Sequence, residues 1–201
     1  MATQHYLRLF FYSWKLVVGT TLLGGLLALG VSLLQPLRYS SVERILITQT
    51  NAAGLDPYTA LKSTERIAQN LSELIYTSSF FNAVMAKSQI DPSYFPFDEA
   101  AKRRKWRDTI STEVSAGTGI MAITAYHTSR DKAIELSIRT AQELVNITPN
   151  YFGYAVRVQI IDDPLSSSFY AKPDFLKNTI LGLIAGFLLG TAWALGKQRY
   201  S

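Results

Sequence analysis

Of the residue types that carry out chemistry, this 201-residue chain offers two histidines, no cysteine and many serines. The absence of cysteine removes disulfides, thiolate zinc, iron–sulfur ligation and a lipid-modified N-terminal Cys. His5 and His127 fall on opposite sides of the first apolar segment, so they cannot share a metal within one chain. Serines could be combined with His127 and an Asp on paper, but no Gly-x-Ser-x-Gly elbow presents a nucleophile. No Gly-x-x-x-x-Gly-Lys-Ser/Thr loop is present to cradle phosphates. The expectation is a protein that is not an enzyme, with no metal and no cofactor.

Two other patterns bear on binding. Gly182, Gly186 and Gly190 recur every four residues, preceded by Asn178 and followed by Ala194, which leaves one helix face nearly free of side-chain bulk. Thr20, Gly24, Ala28 and Ser32 make a similar face near the other end. In lipid such faces permit close helix approach, where packing replaces the hydrophobic drive. They either pack on each other within one protomer or also mediate oligomerisation. The second pattern is the basic run Lys102, Arg103, Arg104, Lys105 and Arg107. It suits anionic lipid head groups or an acidic glycan; alternatively it is a solvated helix face paired locally by Asp98, Glu99 and Asp108. Tyr200 beside Arg199 is a phosphorylation site or an interfacial anchor.

These residues must be positioned by elements of two kinds. The composition is 48% hydrophobic and 17% charged, and the apolar residues concentrate at the two ends. Leu16 to Leu34 reads LVVGTTLLGGLLALGVSLL and Thr179 to Leu195 reads TILGLIAGFLLGTAWAL, neither with a charge. As helices they measure about 26 to 28 Å, close to the hydrocarbon thickness of a bilayer. A cleavable signal peptide ending near Ala28 and Gly30 is the alternative for the first, although its apolar run continues to Leu34.

The short flanks carry Arg8, Lys15, Lys197 and Arg199 and no acid, the positive-inside pattern. Between them, Arg38 to Lys177 holds 16 basic and 15 acidic residues, so the overall pI near 9.4 is no argument for nucleic-acid binding. Tyr6, Phe10, Phe11, Tyr12, Trp14, Trp193 and Tyr200 on one side, and Tyr39, Tyr170 and Phe175 on the other, read as interfacial belts. The expected organisation is a cytoplasmic segment 1–15, transmembrane helices 16–34 and 179–195 flanking an extracytoplasmic domain 35–178, and a cytoplasmic tail 196–201.

Within the middle, Ser41 to Gln49 reads as a strand. Asp56-Pro57 starts a helix with Leu61, Ala68, Leu71 and Ile75 on one face. FFNAVMAKS forms a second helix with Ser79 as its cap, and Asp98 to Val114 a third. Gly117 and Gly119 precede a strand from Ile120 to His127, and Ser129 to Ile147 is a helix ended by Pro149. Val156 to Ile161 is a last strand, closed by Asp162-Asp163-Pro164. The fold class is α+β, a mixed α/β domain of order β-α-α-α-β-α-β with a small sheet.

Several of these residues together resemble the chain-length determinant (Wzz) or polysaccharide co-polymerase family, nearly end to end. They are Pro36 and the strand at Tyr39 to Gln49 after a first span, the helix from Asp56, and IMAITAYH followed by Ser129-Arg130-Asp131 and a helix containing Ala133. Then come VQIIDDP at Val158 to Pro164 and Ala171-Lys172-Pro173 before a glycine-patterned span. Family members carry several prolines in the membrane re-entry linker; here Leu165 to Tyr170 reads LSSSFY, leaving Pro164 and Pro173.

The length resembles the small capsule or exopolysaccharide members, and with six residues after the second span no fused kinase is expected. The resemblance implies a homo-oligomer of the bacterial inner membrane, its main domain periplasmic or extracellular. It would regulate how far a polysaccharide polymerase extends a nascent glycan, or its export. Alternatives are an adaptor for a separate cytoplasmic tyrosine kinase, docking through Arg8, Lys15, Lys197 and Arg199, and a scaffold subunit of an envelope secretion or adhesion complex. Membrane lipid is an expected partner and nucleic acid is not.

Overall fold

The computed structural model describes residues 14–50 and 56–197. The readings placed on His5, Arg8, Arg199, Tyr200 and the aromatic residues before Trp14 lie outside these. In chain order the elements are α1 (Trp14–Leu33), β1 (Tyr39–Gln49), α2 (Pro57–Ile75), α3 (Ser78–Lys87), α4 (Glu99–Thr109), β2 (Ile110–Val114), β3 (Ile120–His127), α5 (Arg130–Phe152), β4 (Val156–Ile160), β5 (Leu165–Ser166) and α6 (Phe175–Lys197). They form two compact units, one holding α1 and α6, the other spanning Arg38–Ala171.

The larger unit is a mixed α/β domain on a five-stranded antiparallel sheet of order β2-β3-β1-β4, with β5 also on β1. β1 is central: Tyr39 to Leu46 pair with β3, while on its other edge β5 covers Ser41 and Val42 and β4 covers Ile45 to Gln49. Burial alternates along β1 and β3, the period of a sheet with one covered face. The inward row Ser41, Glu43, Ile45 and Ile47 meets Met121, Ile123 and Ala125 of β3 and the buried stripes of α2 and α5. Trp106 of α4 closes one side, its ring against Phe81 and its Nε1–H donating to Ile75 O at 2.8 Å.

Local chemistry explains the helix ends and corrects three expectations. The Asp56 carboxylate accepts from the Tyr58 and Thr59 N–H groups at 3.1 Å, with Pro57 at the first helical position. α3 is capped by Thr77, not Ser79: Thr77 has the extended backbone of a cap and accepts from Phe80 N–H. The helix expected over Asp98 to Val114 stops at Thr109, and Ile110–Val114 is a strand. Its alternating Ile110, Thr112 and Val114 face inward, and the turn behind it makes a hairpin with β3. Gly117 and Gly119 supply that turn at φ 72° and 69°.

α5 does not end at Pro149 but runs through it to Phe152 and stops at Gly153, φ 58°. The proline deletes one backbone donor, and packing of the helix along β1, β3 and β4 holds the remaining turn. The expected order therefore gains β2 and β5 and becomes β-α-α-α-β-β-α-β-β.

Candidate functional site

α1 and α6 are each long and apolar enough to cross a membrane, by length and composition. They run antiparallel with their small-residue faces together. A methyl group added to Gly24 would strike Gly182 O; on Gly182, Ala28 Cβ and, at 2.6 Å, Gly24 O; on Gly186, Thr20 O; on Gly190, Thr20 Oγ1. Gly25 meets the Leu183 side chain at 2.6 Å in the same way. Ala194 lies one turn beyond Gly190 and is partly covered. The two patterns read separately in the sequence are thus one seam inside a single protomer. Backbone meets backbone along it, the close approach that small residues permit.

Polar groups in the seam are satisfied. Thr20, Thr21 and Ser32 donate to carbonyls of their own helix, Thr21 to Val17 O at 2.7 Å and Ser32 to Ala28 O at 2.9 Å. Asn178 Nδ2 donates across the seam to Ser32 Oγ at 2.9 Å, a bridge between the two helices. Outward, Leu22, Leu23, Leu26 and Leu27 of α1 and Leu181, Ile184, Leu188 and Leu189 of α6 are exposed. Small and hydroxylic residues lie inside this helix pair and leucines outside, the reverse of a water-soluble bundle.

The basic run does not act as a block, because it winds around α4. Glu99 takes Lys102 at 3.1 Å and Arg103 at 3.4 Å, and accepts from Ser78 Oγ. That hydroxyl, then Lys102, holds the Glu99 carboxyl down at about 2. Asp98 caps α4 by accepting from Ala101 N–H at 2.7 Å. Arg107 lies over the Tyr76 ring and Lys105 over Tyr94, at 5.3 and 4.6 Å. Arg104 is exposed.

The second histidine site lies beside Lys105. His127 is buried, its ring 4.5 Å from that of Tyr94, and its Nδ1 accepts from Ser129 N–H at 3.0 Å. Burial pushes its pKa below 6.5, and the ammonium groups of Lys132 and Lys105 and the Arg38 guanidinium push the same way. Among the described residues no group of His, Asp and Glu gathers in a way that could hold a metal ion.

The segment from Ile161 to Ala171 is clasped along β1. Ile161 N–H donates to Arg44 O at 3.0 Å, Ser167 N–H to Ser40 O at 2.8 Å, and Ala171 N–H to Arg38 O at 2.8 Å. Arg44 also binds Asp162 at 3.1 Å. Pro164 stands between β4 and β5, partly covered; Pro173 is buried and preceded by a cis bond. β5 lies in the serine stretch that departs from the proline-rich linker of the chain-length determinants, and Ser166 and Ser167 do hydrogen-bonding work that proline could not: Ser40 N–H donates to Ser167 Oγ and Arg130 Nε to Ser166 Oγ, both at 2.9 Å.

Two features escaped the sequence reading. Glu43 is 2% exposed on the inward row of β1, with Oε2 lacking a hydrogen-bond partner. Burial, followed by the charges of Asp163 and Asp162, raises its pKa. Strict alternation in SVERILITQ puts Glu43 on the same face as Ile45 and Ile47, which is the signal that could have found it. The other is the pair of half-exposed Lys87 and buried Glu143, 2.6 Å apart, joining α3 to α5. No protein-family model matches the chain, and no curated protein matches it.

Proposed function

We propose that this chain is a two-span membrane protein of the bacterial cytoplasmic membrane that acts, without catalysis, as a polysaccharide co-polymerase. In this reading the α/β domain stands outside the bilayer and regulates how far a partner polymerase extends a surface glycan, or its export. The observation that carries the reading is the inside-out helix pair bracketing the domain. Leucines point outward, a glycine seam lies within, and both ends of the intervening domain are joined by the Ala171–Arg38 hydrogen bond. A lipid surround is what makes such a distribution favourable. Chain order and the VQIIDDP re-entry, with their resemblance to the chain-length determinants, supply the glycan.

In this reading the face shared by Gly24, Ala28, Gly182, Gly186 and Gly190 packs α1 on α6 within the protomer, and the homo-oligomer draws on further surfaces. The exposed leucine rows and the outer domain remain for it. The deciding experiment compares the length distribution of surface polysaccharide with and without the protein. A shifted or lost modal length is expected. Unchanged polysaccharide together with reduced tyrosine phosphorylation of a cytoplasmic kinase would instead favour the adaptor reading, and no change in either the scaffold.

A further inference from the structure

At the end of the α/β domain where the chain enters and leaves, cations and aromatic rings gather from four separate stretches of sequence. Arg38 and Ala171 are joined by a backbone hydrogen bond of 2.8 Å, so both connectors start from one point. Arg38 Nη1 reaches Asp108 O at the end of α4 at 3.4 Å, which brings it near Lys105. Arg130, exposed at the start of α5, donates to Ser166 Oγ and acts electrostatically on Tyr39. Tyr39 and Tyr170 have ring centroids 4.7 Å apart, and the neighbouring Phe169 is 85% exposed.

Charge at this end is predominantly positive. Lys105 is pushed below its ordinary value, first by burial and then by the Arg38 guanidinium, with Asp108 the one acid opposing this. Lys132 adds a further cation near His127, though Glu135 holds it at 2.9 Å. A cluster of cations mixed with half-exposed tyrosines and an exposed phenylalanine suits the head-group layer of an anionic bilayer. There phosphates meet the cations and aromatic rings sit among the glycerol backbones. The connectors also limit the distance: Arg38 follows the last residue of α1, Leu33, by five residues, at most about 18 Å of chain.

We propose that Arg38, Lys105 and Arg130, with Phe169 and Tyr170, form a docking surface for the phosphate head groups of anionic phospholipid. The inference rests on the reading of α1 and α6 as membrane spans, and it assigns only part of the basic run to lipid. Lys105 faces the head groups, whereas Lys102 and Arg103 belong to Glu99 and Ser78.

The absence of native cysteine makes the test direct. Full-length chain carrying Phe169→Cys, labelled with an environment-sensitive fluorophore, is placed in nanodiscs of phosphatidylcholine alone or mixed with phosphatidylglycerol. Tyr154→Cys serves as the reference, since Tyr154 is 92% exposed at the opposite end of β1, where it accepts from Thr50.

The expected result is that phosphatidylglycerol protects the label at position 169 from aqueous iodide while position 154 stays quenched. Arg38→Glu with Lys105→Glu should reverse the protection, each lost cation weakening docking about fivefold, and added salt should do the same. Equal quenching at both positions, protection independent of phosphatidylglycerol, or protection appearing only with an added acidic glycan would each overturn the proposal. Incorporation of the chain into the discs is scored separately by size exclusion. A chain that incorporates but fails the quenching test leaves the membrane reading standing and removes only the docking surface.

Discussion

Glu43 places a carboxyl on the buried inward row of β1, with one oxygen unpartnered and the charges of Asp163 and Asp162 acting on it. Both circumstances disfavour the ionised form, so its pKa in the fold lies above the ordinary 4.5. The folded state then binds more protons than the unfolded one, and stability falls as pH rises from 4.5 through the folded value. Glu43→Gln should raise the denaturation midpoint at neutral pH and flatten this acid-side slope. Chemical denaturation in detergent at a series of pH values measures both, and a variant less stable than the parent at neutral pH would contradict the assignment. His127 acts in the opposite sense. Its folded pKa is depressed, so stability is lost as pH falls below 6.5, and the two slopes separate only when one group is replaced.

At the scale of elements, the α1–α6 seam rests on glycines that tolerate no side chain. Gly186→Leu would drive a branched side chain into the Thr20 carbonyl, and no rotamer avoids it because the obstruction begins at Cβ. Ser32→Cys and Asn178→Cys, whose native side chains touch at 2.9 Å, should cross-link on mild oxidation. Adding Gly186→Leu to that pair should abolish the bridge, as read by gel shift after cleavage of the outer domain. Persistence of the cross-link would mean that Gly186 is not held against Thr20 in this seam.

This part of the site was legible from sequence, because a spacing of four in an apolar helix admits only one kind of face. Which face it meets was not legible, since Thr20, Gly24, Ala28 and Ser32 would look the same beside a neighbour. Among the strands, β1 and β3 announce themselves by alternation. β2 was hidden because Ile110–Val114 continues directly from the polar helix α4 with no glycine or proline between them. β5 was hidden because two residues paired to β1 carry no period at all.

For the molecule as a whole, the proposed sidedness rests on the basic flanks and is measurable in the same cysteine-free background. Tyr154→Cys should react with a membrane-impermeant maleimide in intact spheroplasts, whereas Ser201→Cys should react only after permeabilisation. Labelling of both, or of neither, in intact spheroplasts would refute the two-span arrangement. Because Arg38 and Ala171 adjoin and the stretch from Ile161 to Ala171 runs antiparallel to β1, tension that draws the two connectors apart loads the hydrogen bonds one at a time, beginning with Ala171 to Arg38. Bonds loaded in series peel at low force, whereas the β1–β3 ladder lies outside that load path. The clasp is a zipper that a pull on the connectors opens first, lengthening the tether while the rest of the domain stays folded.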